Sequence, residues 1–66
     1  MLNERMYEDK KAQVWELFAF EEMAPHEIDA MVGLPPGGAR EAILRIWKTD
    51  KAEFLASVAR RRRSGE

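Results

Sequence analysis

The chain has 66 residues, no cysteine and a formal net charge of −1. It is long enough for one domain at most. Neither a disulfide nor a cysteine-ligated metal can staple its core, which leaves close helix packing or pairing of copies to stabilise it.

The charge is unevenly divided. Residues 1–36 carry 3 basic and 8 acidic side chains, whereas residues 37–66 carry 8 basic and 4 acidic. Such a basic half points to a nucleic acid or another acidic partner. No stretch approaches the ~18 apolar residues of a membrane span. The charged start MLNERMYEDKK does not read as a signal peptide. No membrane association and a cytoplasmic location are therefore expected.

No β-alternation persists, and helical periodicity recurs in four places. The first predicted helix runs from about Asn3 to Glu21. Tyr7, Val14 and Phe18 align on one face, flanked by Met6, Trp15 and Leu17, which makes a stripe wide enough to face a core. Asn3 is a fair N-cap, and Glu4 suits the first turn. Phe20 falls off the stripe, with Leu2 on the same side.

The second predicted helix is short. Pro25 fits its first turn, where a missing N–H costs nothing. Glu27 and Asp29 favour the positive end of the dipole. Ile28, Met31 and Val32 supply the apolar side. Gly33 ends the helix as a left-handed cap, and Pro35 and Pro36 prevent continuation.

The third runs from about Gly38 to Thr49. Ala39, Ala42, Ile43, Ile46 and Trp47 are assigned to its inward face, Glu41, Arg45 and Lys48 to the opposite face, and Arg40 and Leu44 to a border. The fourth is signalled by TDKAEF, with Asp50 as N-cap and Glu53 completing a capping box. Phe54, Leu55 and Val58 form a narrow apolar seam on it. The expected core comprises Val14, Trp15, Leu17, Phe18, Ile28, Val32, Leu34, Ala39, Ile43, Ile46 and Trp47. The expected organisation is a domain over residues 1–59 with a basic tail over 60–66.

The segment HEIDAMVGLPPGGAREAIL resembles the helix-turn-helix of DNA-binding proteins. The likeness is to the C-terminal region 4 of sigma factors, with its EIA…LGLP.GTVKSRL pattern, and to small phage-type transcriptional regulators. It rests on Glu27-Ile28, Gly33-Leu34-Pro35, Gly37, and Ala39-Arg40 to Ile43. Asp29 stands where that family has alanine, and Gly38 where a Thr or Ser caps the recognition helix. The resemblance implies an all-α, four-helix domain containing a helix-turn-helix. It implies a sequence-specific regulator of transcription, a repressor or autorepressor, bound to double-stranded DNA.

Physical chemistry assigns candidate roles within that frame. Arg40 and Arg45 present forked donors to guanine, Glu41 accepts from cytosine, and Leu44 meets a thymine methyl. Gly37 and Gly38 leave the helix N-terminus open, so that a phosphate can cap it. Lys48 and the run Arg60, Arg61, Arg62 and Arg63 are phosphate contacts. Phe20, Phe54, Leu55 and Val58 are the expected interface of a homodimer. His26 has no partner, and no metal, cofactor, small-molecule ligand or enzymatic chemistry is indicated. The alternative is a protein-interaction module with a helix-turn-helix shape, such as a phage-type inhibitor of a host protein.

Overall fold

A computed structural model describes residues 2–65, with Ser64 and Gly65 described in secondary structure alone; Met1, and Glu66 at the end of the expected tail, are outside the description. Every regular element among the described residues is helical. Helix α1 spans Glu4–Ala19, α2 Pro25–Val32, α3 Gly38–Arg45 and α4 Lys51–Gly65, with a π-helical segment Ile46–Asp50 between the last two. No break separates α3, the π segment and α4, so they form one continuous rod.

The local signals explain the ends. The Asn3 side chain accepts from the Met6 N–H at 2.9 Å and caps α1. Beyond α1 the chain turns at Glu22, which adopts a left-handed φ of 55°. Pro25 opens α2, and the Glu27 carboxylate reaches back to accept from the Ala24 N–H at 3.0 Å. Gly33 closes α2 with φ 75°, a conformation a side chain would strain.

The expected fourth helix is not separate. Asp50 is no N-cap: the backbone stays right-handed from Arg45 through Lys51, and the Asp50 carboxylate accepts from the Tyr7 hydroxyl instead. Thr49 donates its hydroxyl to the Arg45 carbonyl at 2.8 Å. A side chain bonding back one turn leaves the helix running.

The core gathers Leu2, Tyr7, Val14 and Trp15 with Ile28, Val32 and Leu34, against Ala39, Ala42, Ile46 and Phe54 of the rod. Leu17 and Ile43 pack at its margin. Two expected core residues lie outside: Phe18 is 38% and Trp47 54% exposed. For Trp47 the reason is angular. The line Ala39–Ala42–Ile46 faces inward, and at 100° per residue Trp47 then lies off the buried sector. The two alanines let the rod approach α1 and α2 closely.

Candidate nucleic-acid interface

The corner between α2 and α3 is braced by one side chain. Asp29, near the end of α2, accepts from the Gly37 N–H at 2.9 Å and from the Ala39 N–H at 2.7 Å. Its backbone carbonyl accepts from Gly33 and Leu34, each at 3.0 Å. The N-terminus of α3 is therefore capped from outside by a carboxylate of α2. This corrects the expectation that Gly37 and Gly38 leave it vacant: two of its donors are occupied, and the capping charge opposes a phosphate.

The two glycines have separate reasons. Gly37 holds φ 82°, a left-handed conformation that costs other residues ~1–2 kcal/mol. Gly38 is buried, and a Cβ there would lie 3.1 Å from the Leu34 Cβ and 3.4 Å from the Pro35 Cδ. A capping Thr or Ser does not fit without moving Leu34. Asp29 supplies the cap that Gly38 lacks.

The outer face of α3 is open. Arg40 and Glu41 are exposed, Leu44 is 52% exposed, and Lys48 is exposed one turn further on. These four of the expected contacts lie on one side of the rod. Arg45 does not join them. Its guanidinium pairs with Glu4 of α1, at 2.9 and 2.7 Å to the two carboxylate oxygens, and lies 4.2 Å from the centroid of the Tyr7 ring. The Glu4 hydrogen bond raises the Arg45 pKa further above its usual value. An arginine held this way on the α1 side is a brace between helices, so its expected place beside Glu41 and Lys48 is corrected.

Below Arg45, the π segment is anchored to α1. Tyr7 is fully buried and donates to Asp50, whose carboxylate also lies 3.6 Å from the Lys11 ammonium. Burial, then the Asp50 carboxylate, raise the Tyr7 pKa. The Tyr7 hydrogen bond, with Lys11 behind it, lowers that of Asp50. The Lys11 ammonium donates to the Glu8 carboxylate, 3.1 Å away, and this bond raises the Lys11 pKa despite partial desolvation.

The arginine run Arg60–Arg63 continues α4, which crosses the expected boundary after residue 59. Arg61 is committed: it pairs with Glu16 at 2.6 Å and lies 4.5 Å from the Phe20 ring centroid. Arg60 reaches Ser57 at 3.3 Å. Arg62 and Arg63 border an open trough with Leu55, Val58 and Ala59. The expected dimer residues divide in the same way. Leu55 is exposed, but Phe54 is buried against Trp15 with ring centroids 5.9 Å apart, which corrects its place in an outward seam. Val58 is half-buried, and Phe20 lies under Arg61.

Two surface features were not foreseen. Trp47 and Lys51 stand together on the outer side of the rod, with the Lys51 ammonium 3.8 Å from the ring centroid. In the sequence Asp29 reads as favouring the dipole of α2 and as a departure from the family pattern, not as a cap; its spacing of eight and ten to the N–H groups it caps gives no familiar signature. Among the described residues no cluster of His, Cys, Asp or Glu is arranged to hold a metal. No helix of these residues is long and apolar enough to cross a membrane. No protein-family model matches the chain, and no curated protein or solved structure matches it either.

Proposed function

We propose that the chain is a sequence-specific double-stranded DNA-binding regulator, a repressor or autorepressor, in which α2, the Gly33–Gly37 corner and α3 act as a helix-turn-helix. The observation that carries this reading is the outer face of α3. Arg40 and Glu41 are exposed in its N-terminal half and Leu44 one turn on, while Asp29 fixes the N-terminal end against α2. A recognition helix enters the major groove by its N-terminal residues, and an exposed arginine there has the donor geometry for guanine O6 and N7. Arg45 and Arg61, held by acidic partners, are left out of the contact set, and Lys48, Arg60, Arg62 and Arg63 remain its phosphate contacts.

Selection of bound sequences from a random duplex library tests the proposal, with enrichment of a palindrome as the expected result. Arg40→Ala should then relax preference at one base pair at a cost of about 1–3 kcal/mol. Failure to enrich any sequence, with no salt-sensitive binding to bulk duplex, would remove the reading.

The exposure of Leu44, Trp47 and Met31 favours a second reading, a protein-interaction module. Salt separates the two. DNA binding weakens steeply as salt rises, whereas an apolar protein contact does not.

A further inference from the structure

The face that carries Arg40 extends past the end of α3, and its far end has a chemistry of its own. Trp47 lies in the π segment with more than half of its surface open, and Lys51 sits one turn on, over the indole ring. A large exposed indole on a 66-residue chain is unused by the core. π turns within α-helices are uncommon and concentrate at functional sites. The charge on this face is complementary to a polyanion: Arg40, Lys48 and Lys51 against Glu41 alone.

Position along the rod decides which part of a duplex this end meets. At the helical rise, Trp47 lies ~10 Å and Lys51 ~16 Å beyond Arg40. The major groove is ~12 Å wide. With Arg40 at the base edges, residues that far along the helix axis leave the groove and reach the strand that borders it. There an indole packs its ring on deoxyribose and its N–H can donate to a phosphate oxygen, while the ammonium meets phosphate as a point charge.

We infer that Trp47 and Lys51 together contact the sugar–phosphate backbone of double-stranded DNA beside the base pairs that Arg40 reads. This rests on the DNA-binding reading above and extends it to two residues outside the helix-turn-helix. The contact is independent of sequence, so it adds affinity and fixes the angle of α3 without adding preference.

The chain carries its own probe. Trp15 is 6% exposed and Trp47 54%, so acrylamide quenches the emission of Trp47 selectively. Short random-sequence duplexes, titrated at ~50 mM salt, should protect that emission in the full-length wild type. Trp47→Phe, with unchanged circular dichroism, should lose the response and still bind. Trp47→Ala should weaken random and library-selected duplexes by the same factor. Lys51→Gln should lower the slope of log K against log salt by ~0.9, one phosphate contact. If the duplexes bind while Trp47 stays fully quenchable and the Lys51→Gln slope equals the wild type's, the backbone contact is overturned and the DNA reading stands. A Trp47→Ala variant that reorders the preferred sequences also overturns it, since Trp47 then reads bases. Absence of any duplex binding by the wild type overturns both.

Discussion

Asp29 joins the end of one helix to the start of the next by accepting from both Gly37 and Ala39. An N-cap interaction of this kind contributes ~0.5–2 kcal/mol. Asp29→Ala should therefore lower the unfolding free energy by that amount, read as a lower urea midpoint at unchanged m-value, and Asp29→Asn by less, because one amide oxygen can still accept. Gly38→Ser should also destabilise, by ~1–3 kcal/mol, the usual range for overpacking. Its Cβ meets Leu34 at 3.1 Å, and the added hydroxyl would compete for donors that Asp29 already holds. A Gly38→Ser variant as stable as the wild type would show that Leu34 yields easily and that the glycine has another reason. Both residues stood out in the sequence as departures from the sigma-factor pattern, but each departure explains the other only in three dimensions. A carboxylate ten residues away is invisible to rules that look for a cap next to the helix it caps.

At the scale of elements, the informative feature is the junction of α3 and α4. The start of α1 and both ends of α2 were legible, because Asn3, Pro25 and Gly33 act on their own neighbours, whereas α1 stops at Ala19, two residues before the expected Glu21. The junction was not. TDKAEF has the composition of a helix start, yet its acidic residue is drawn to a tyrosine 43 positions away. The rod keeps its right-handed backbone and loosens into a π segment there. The same non-local pull explains Arg45, whose partner Glu4 is 41 positions distant. The error at Trp47 has a different cause: an inward face wide enough to hold Ala39, Ala42, Ile43, Ile46 and Trp47 together is wider than the buried line Ala39–Ala42–Ile46, which leaves Trp47 at its outer edge. The Tyr7–Asp50 bond makes this junction sensitive to acid. The folded-state pKa of Asp50 is depressed, so its contribution is fully present above the ordinary carboxylate value of ~3.9 and is lost as pH falls through the lower folded value. Melting temperatures of the wild type and Asp50→Asn should thus differ at pH 6 and converge towards pH ~2. A constant gap across that range would mean that Asp50 acts by shape and not by charge. Burial raises the Tyr7 pKa, so its phenol favours the fold below pH ~10 and that preference is lost as pH rises through the folded value.

At the scale of the whole molecule, the proposed function sets a demand on so small a fold: a regulator of this size would have to find one site in a genome. One recognition helix reaches only a few base pairs, and the competing sites are many. Two copies related by a two-fold axis double the contacts and set the helices ~34–36 Å apart, one turn of DNA. An apolar strip on α4 suits such pairing. Leu55 is 45% exposed and, with Val58 and Ala59, lines the trough on α4 that Arg62 and Arg63 border. Phe54 lies on the other side of the helix, inside the core. The two neighbours therefore separate pairing from folding. Leu55→Glu should give a monomer with unchanged circular dichroism in light scattering at micromolar concentration. Phe54→Ala should cost ~3–5 kcal/mol, as a buried aromatic does, and unfold much of the population. Pairing through α4 also brings two sets of Arg62 and Arg63 onto one interface. Added salt screens that repulsion, so association should strengthen with salt while duplex binding weakens. A wild type that scatters as a monomer, or a Leu55→Glu variant that remains paired, would exclude this surface.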